Sequence, residues 1–405
     1  MGFFVCGMMG RFENEQIFLI NEIMTRVKIN QNKLLVYLGI IIFSCAEQYS
    51  DANSPDINSP DDICGIDTTF TLPLPAIDIA RYSDCRYILA GIYGTEILDE
   101  LGNILPSWED NRSRVPATRG FNPTSDGGFL TTYIDFVSKS SPPDNPGTGW
   151  SWSIPAYQAP HYINDAIETT NGDYIAVGWI SGDPGTAGHS QKGQAFIAKL
   201  SEGGIFQWIK RFGLLNTPKD TFWEVVEADD GGFVAVGSKL EAREFFFYDH
   251  FWLLKIDADG NQVWSREIGT NDRYDMAFDV IKLPDGGFVA TGMSTINSNG
   301  VGTMRVVRMS ANGNIIWDKK AGGDGYQDMG HALALNENEN VLMVAGMKQP
   351  STGDSKIKLW GYDPETGDRL FTRNTIDLEF GLSAFGVVAA YDNGFIITSN
   401  SSLIK

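Results

Sequence analysis

DDGGFVAVG (229–237) returns as PDGGFVATG (284–292), and weaker copies run along most of the chain. A unit recurring about every 54 residues dictates architecture before any motif is read. Aligned on the first aromatic or aliphatic residue after the turn, the copies begin at Tyr87, Phe129, Tyr174, Phe233, Phe288, Leu342 and Phe395. The intervals are 42, 45, 59, 55, 54 and 53 residues. The clearest unit reads as four short strands: AFDVIKL (277–283), FVATG (288–292), MRVVRMS (304–310) and IIWDKKA (315–321). These runs are β-branched and apolar, and Gly-rich turns separate them. Helical periodicity is absent. Four strands per unit at this period describe one blade of a β-propeller.

The expected fold is therefore all-β: a seven-bladed propeller of four-stranded antiparallel blades, with six or eight blades as the alternatives. The last unit has FIITS (395–399) and SSLIK (401–405) and then stops one strand short. TFTLPL (69–74) precedes the first unit and has no place in it, so it is expected to supply the missing outer strand and close the ring. Closure matters because an open edge exposes unpaired backbone groups. A second marker travels with the repeat. Trp152, Trp208, Trp264, Trp317 and Phe371 each follow a polar turn, Trp108 marks the first unit, and all are expected to pack between blades. Trp223 is expected in the core.

Ahead of the repeats, LLVYLGIIIF (34–43) is too short to cross a bilayer as a helix. Arg26, Lys28 and Lys33 precede it and Ser44 and Cys45 follow it, in the order of a secretory signal. Ile42, Phe43, Ser44 and Cys45 resemble the lipobox of a bacterial lipoprotein, with Phe43 atypical at its position. That resemblance implies lipid attachment at Cys45. Glu13, Glu15 and Glu22 suit a signal poorly, whereas Met24 opens a basic leader, so translation is expected to start there. The expected organisation is a signal region over 1–44, a flexible tether over 45–68 rich in Ser, Asp, Asn and Pro, and the propeller over 69–405. In an oxidising compartment Cys64 and Cys85 are candidates for a disulfide, with two free thiols as the alternative.

The chain carries 31 basic and 51 acidic residues. Only four of the basic and three of the acidic ones lie in 1–44, so the propeller bears the acidity. Such a surface repels phosphates, and nucleic acid is not an expected partner. Catalytic signatures are missing: no HExxH, no GxSxG in a strand–turn–helix setting, no CxxC. His161, His189, His250 and His331 share no metal-ligand spacing, and DADGN (257–261) lacks the distant Glu of a calcium loop. Neither metal nor other cofactor is expected. Asp165, Asp220, Asp275 and Asp328 recur just ahead of successive blades. Each is read as a turn cap, or together as a ring of carboxylates at the channel mouth.

YDPETGDRLF (362–371), KIDADGNQVW (255–264) and RMSANGNIIW (308–317) resemble the docking motif of the PQQ-like, quinoprotein-type propeller family, with Phe371 in the place of Trp. The similarity extends over roughly 85–405. That family includes quinone-dependent dehydrogenases and a non-enzymatic outer-membrane lipoprotein. No position here matches its cofactor stack, metal ligands or catalytic Asp, so activity is not implied. The whole also resembles Bacteroidota propeller lipoproteins.

Strand alternation puts the short turns on one face and the long connections on the other, which marks the long-loop face as the working one. There Phe245, Phe246, Phe247, Tyr248 and His250 are a candidate binding loop, or else a continuation of the third strand. The expected function is a lipid-anchored, extracytoplasmic module of the cell envelope, an outer-membrane lipoprotein, that binds or scaffolds a protein or glycan. The alternative is an enzyme, a glycan lyase or hydrolase or a quinone-dependent oxidoreductase, working at the channel mouth.

Overall fold

In the computed structural model the described residues are 70–71, 76–81, 86–91, 94–98, 120–140, 149–154, 161–181, 193–213, 220–243, 246–269, 275–295, 301–322, 327–336, 338–350, 355–374, 384–390, 393–399 and 402–404. They belong to one compact unit, Asp61–Lys405. All regular structure among them is β. The expected signal region, Met24, Trp108, Cys45, the tether, Cys64 and Cys85 lie outside the described residues.

β1 (Phe70–Thr71) opens the described chain. β2 (Ala76–Arg81), β3 (Tyr87–Gly91) and β4 (Gly94–Leu98) make a three-stranded sheet. β5 (Phe121–Pro123), β6 (Phe129–Thr132), β7 (Phe136–Ser140) and β8 (Trp150–Ser153) form the next. Then come β9 (His161–Glu168), β10 (Tyr174–Ser181), β11 (Gly193–Leu200) and β12 (Phe206–Phe212). β13 (Thr221–Glu227), β14 (Phe233–Arg243), β15 (Phe246–Ile256) and β16 (Gln262–Ile268) follow. β17 (Asp275–Lys282), β18 (Phe288–Thr295), β19 (Gly302–Met309) and β20 (Ile315–Gly322) are the clearest repeat. β21 (Gln327–Leu335), β22 (Leu342–Gln349), β23 (Lys356–Tyr362) and β24 (Arg369–Asn374) come next. β25 (Ala384–Ala389), β26 (Phe395–Ser399) and β27 (Ser402–Ile404) end the chain, with β1 as their fourth strand.

Among the described residues the architecture is a β-propeller with six four-stranded antiparallel blades, where the spacing predicts seven. The unit at β2–β4 has three strands among the described residues, because the segment expected to hold its fourth, around Trp108, is not described. All seven repeat anchors nevertheless begin the second strand of a sheet. The pairs Phe70↔Leu403 and Thr71↔Ser402 place β1 on the outer edge of β27, within the stretch expected to serve there.

The core lies between sheets. Val236, Phe251 and Leu253 of one sheet meet Ala290, Val307 and Met309 of the next. A comparable cluster joins Tyr87 and Leu89 on β3 to Ile396 on β26. Each second strand is sandwiched on both faces, so β10 and β18 are buried along their length and read as continuous apolar runs rather than alternating ones.

A four-part device repeats with the blades. A cation near the end of the third strand pairs with an Asp in the first turn: Lys139 with Asp126 at 2.5 Å, Lys199 with Asp173 at 3.0 Å, Lys255 with Asp230 at 2.6 Å, Arg308 with Asp285 at 2.8 Å. The Lys255 ammonium holds the Asp230 carboxyl below its usual range. Across the ladder each cation faces an indole, in the pairs Lys139↔Trp150, Lys199↔Trp208, Lys255↔Trp264 and Arg308↔Trp317. The indole in turn covers a turn glycine of the following blade. Gly313, at φ 74°, has the Trp264 ring where a Cβ would stand, and Trp264 Nε1 donates to Ala311 O at 3.2 Å. Trp317 does the same over Gly367, donating to Pro364 O at 3.1 Å. This places Trp150, not Trp152, at the docking position of its blade. Trp152 stands two residues on and stacks on Phe206. Phe371 holds the position in the sheet of β21–β24, opposite Gly361, with the Arg373 guanidinium 5.5 Å over its ring.

Candidate functional site

The first strand of every sheet contributes to one cavity of ≈ 930 Å³. What faces it is decided by a defect in the pairing. In six of these strands the register against the second strand slips by one residue, and the residues skipped are Ile77, Asn164, Trp223, Phe278, His331 and Phe385. A bulge of this kind sets two residues against one and re-aims a side chain. Trp223, Phe278, His331 and Phe385 all line the cavity. Their rings follow one another from sheet to sheet: Trp223 to Phe278 at 6.4 Å, Phe278 to His331 at 5.8 Å, His331 to Phe385 at 6.1 Å. Trp223, expected in the core, is thus a wall of the cavity and only half-buried.

Immediately after the slip come Asp78, Asp165, Glu224, Asp279, Ala332 and Gly386. Three of these carboxyls, on Asp78, Glu224 and Asp279, line the cavity, and Asp165 lies behind Glu224, hydrogen-bonded to it. They also stitch the blades together. Asp165 accepts from Asn122 Nδ2 at 2.8 Å and from Val225 N at 3.2 Å. Asp279 accepts from Leu333 N of the next blade at 2.6 Å, whereas Asp78 accepts locally, from Ile79 N of its own strand, at 2.8 Å. Gly386 has no side chain because one would run into Asp78: a Cβ there would lie 2.7 Å from Oδ1.

Protein surrounds these groups, so ionisation is costly. Burial pushes Asp279 up to about 7, with the charge of Asp165 adding to it. Burial pushes Asp78 well above its usual range. Glu224 is raised by burial and then by the charges of Asp165, Asp279 and Asp78, and its partner Asp165 is raised with it, chiefly by burial. Burial and mutual repulsion thus favour a proton shared between the two carboxyls.

The four acids singled out by their spacing do not share one place. Asp165 belongs to the inner set. Asp220, Asp275 and Asp328 are buried but outside the cavity wall. Asp220 accepts from Leu240 N at 2.7 Å, Asp275 is 3.5 Å from Arg305, and Asp328 is 3.4 Å from Lys358. Phe246–Ile256 is a single strand, so Phe246, Phe247, Tyr248 and His250 extend β15 rather than forming a loop, and Phe245 lies outside the described residues. His250 contacts Glu241 at 3.2 Å. His161 begins β9, and His331 is in the cavity wall. Asp257 accepts from the backbone of Asp259 and Asn261, which closes the DADGN turn without metal. Among the described residues no group of three or more His, Cys, Asp or Glu could hold a metal ion.

The cavity wall reaches Glu168, Glu227 and Lys282, the last residues of β9, β13 and β17, which lead into the short turns. Ser125 N donates to Glu168 at 2.5 Å, Thr170 N to Glu227 at 2.7 Å, and Lys282 meets Asp229 at 2.6 Å. These contacts hook each short turn to the next blade and rim that end of the cavity. Much of the long connections, including 182–192 and 296–300, lies outside the described residues.

No protein-family model matches the chain, and no curated protein is similar to it in sequence. The chain is similar in structure to the β-propeller domain of Cps50 (Swd1) from Myceliophteria thermophila, at 10% identity and a TM-score of 0.54, over 83% of this chain and 98% of that one. Two further solved structures match less well. The Pan2 WD40 domain of Neurospora crassa has 11% identity and a TM-score of 0.49 over 86% and 91% of the two chains. A protein of unknown function from Dyadobacter fermentans has 11% identity and a TM-score of 0.44 over 84% and 98%. At such identity the first likeness establishes the fold, and the chain is a β-propeller.

Proposed function

We propose that the chain is a lipid-anchored binding module of the cell envelope whose partner, an envelope protein or a glycan, engages the central cavity. In this reading 1–44 direct export, Cys45 carries the lipid, 45–68 form the tether, and β1 closes the ring. The observation that supports binding is the cavity: its volume and its mixture of rings and a few polar groups are those of a recognition site. Its reach to the short-turn end favours approach from that side rather than from the long-loop face. One observation favours a second reading. The hydrogen-bonded Asp165 and Glu224, both raised chiefly by burial, are a coupled carboxyl pair of the kind a glycan-cleaving enzyme uses as general acid.

Affinity capture from detergent-solubilised envelopes, with the tagged full-length chain, tests the first reading. The wild type is expected to retain a specific partner that the double variant Glu224→Gln, Asp279→Asn loses, and Cys45→Ser is expected to abolish palmitate labelling. A partner retained equally by the double variant overturns the cavity as the site. Glycan turnover with no partner recovered replaces binding by the enzyme.

A further inference from the structure

Resting on the cavity as the binding site, we infer that its ligand is an organic cation, an alkylammonium or guanidinium group seated between the carboxylates of Asp78, Glu224 and Asp279 and the rings of Trp223, Phe278, His331 and Phe385. Five acids line the cavity, Asp78, Glu224 and Asp279 within it and Glu168 and Glu227 at its rim, and among the described residues that line it the only Lys or Arg is Lys282. That ammonium stands at the rim and is committed to Asp229. When these acids ionise, the wall therefore carries negative charge that a bound cation can balance. Anions are repelled, and a neutral sugar leaves the charge uncompensated.

A bare metal ion is the wrong shape. The carboxyls come from β2, β13 and β17, three separate sheets, and do not converge as ligands on one point. A larger cation with diffuse charge spans them. Leu333 N engages Oδ2 of Asp279 and Ile79 N engages Oδ1 of Asp78. A carboxylate accepts at both oxygens, so each has capacity left for a donor in the cavity. The rings add selectivity, since an aromatic face attracts a poorly hydrated organic cation in a dehydrated site.

Proton linkage gives the binding a signature. Burial favours the protonated form of these carboxyls, and a cation favours the ionised form. Binding must release protons, and affinity must rise as pH rises through the range where Asp279 ionises, about 7.

Isothermal titration of the full-length chain in detergent, with agmatine and with the peptide acetyl-Gly-Gly-Arg-Gly-Gly-amide as probes, tests this. At least one probe is expected to bind, with heats that differ between phosphate and Tris buffers at equal pH. Affinity is expected to fall by about tenfold or more from pH 8 to pH 5. Glu224→Gln and Asp279→Asn are each expected to weaken binding by about tenfold, with circular dichroism confirming the fold. Tighter binding of agmatine identifies a free small-molecule cation; tighter binding of the peptide identifies a side chain of a partner protein. Failure of both probes at millimolar concentration overturns the cation, as does binding indifferent to pH and to both substitutions. The cavity reading then stands or falls separately, on whether the double variant loses the captured partner.

Discussion

At Asp279 two demands meet in one side chain. Its Oδ2 takes the Leu333 amide and so ties two blades together, while burial opposes its charge. An asparagine keeps an acceptor for that amide and removes the charge, so the two roles separate in one substitution. The folded pKa, about 7, lies above the unfolded value near 4, so the folded state binds the extra proton. The stability from that protonation is full below about pH 4 and is lost as pH rises through about 7. Asp78 and Glu224 shift in the same direction and reinforce it. The ligand-free protein is expected to melt at a lower temperature at pH 8 than at pH 5, to the extent that these groups dominate. Asp279→Asn is expected to recover about 1–3 kcal/mol more at pH 8 than at pH 5. Thermal melts across that range decide it: an equal loss at both pH values would mean that the hydrogen bond matters and the charge does not.

At the scale of the strand, what was legible in the sequence was the repeat and its phase. Each anchor from Tyr87 to Phe395 begins a second strand, because the apolar run after a Gly-bearing turn is dictated locally. What was not legible is what faces the cavity. Side chains alternate along a regular strand, but a one-residue slip resets the alternation, and no residue type announces it. Trp223 therefore read as core, and Asp165 was grouped with Asp220 by its interval of 55 residues. Measured back from the anchors, Asp165 and Glu224 stand nine residues ahead of Tyr174 and Phe233, whereas Asp220 stands thirteen ahead. Referring each acid to its anchor would have found the inner set. Trp150 and Trp152 stand two residues apart on one strand, and the repeat spacing does not separate them. The docked and undocked indoles are expected to differ in energy. Trp264→Ala removes a buried ring and its bond to Ala311, at a cost of about 3–5 kcal/mol. Trp152→Ala removes a half-buried ring stacked on Phe206, at a cost of about 1 kcal/mol. Chemical denaturation of the two variants measures the difference, and equal losses would refute the docking geometry.

For the whole molecule, the outcome turns on a two-residue strand. β27 is only three residues long, and without β1 it would be the outer edge of its sheet. Such an edge is a poor end for a repeat protein, since each blade is stabilised chiefly by its neighbours. Thr71 stands opposite Ser402, near the two ends of the propeller sequence, so a bond between them would join those ends covalently. Paired residues on antiparallel strands lie at a separation that a disulfide spans. Thr71→Cys with Ser402→Cys is expected to oxidise readily to a single species, identified by peptide mapping. Because the bridge encloses nearly the whole fold, its effect on the unfolded chain is large, and stability is expected to rise by up to about 5 kcal/mol. Replacing 69–74 by Gly and Ser is expected to act in the opposite direction, lowering the melting temperature and exposing the amides of β26 and β27 to exchange before those of β18. If the cysteines do not pair, and the replacement leaves exchange at β26 unchanged, then β1 does not hold the ends together and the sheets must be stabilised without it.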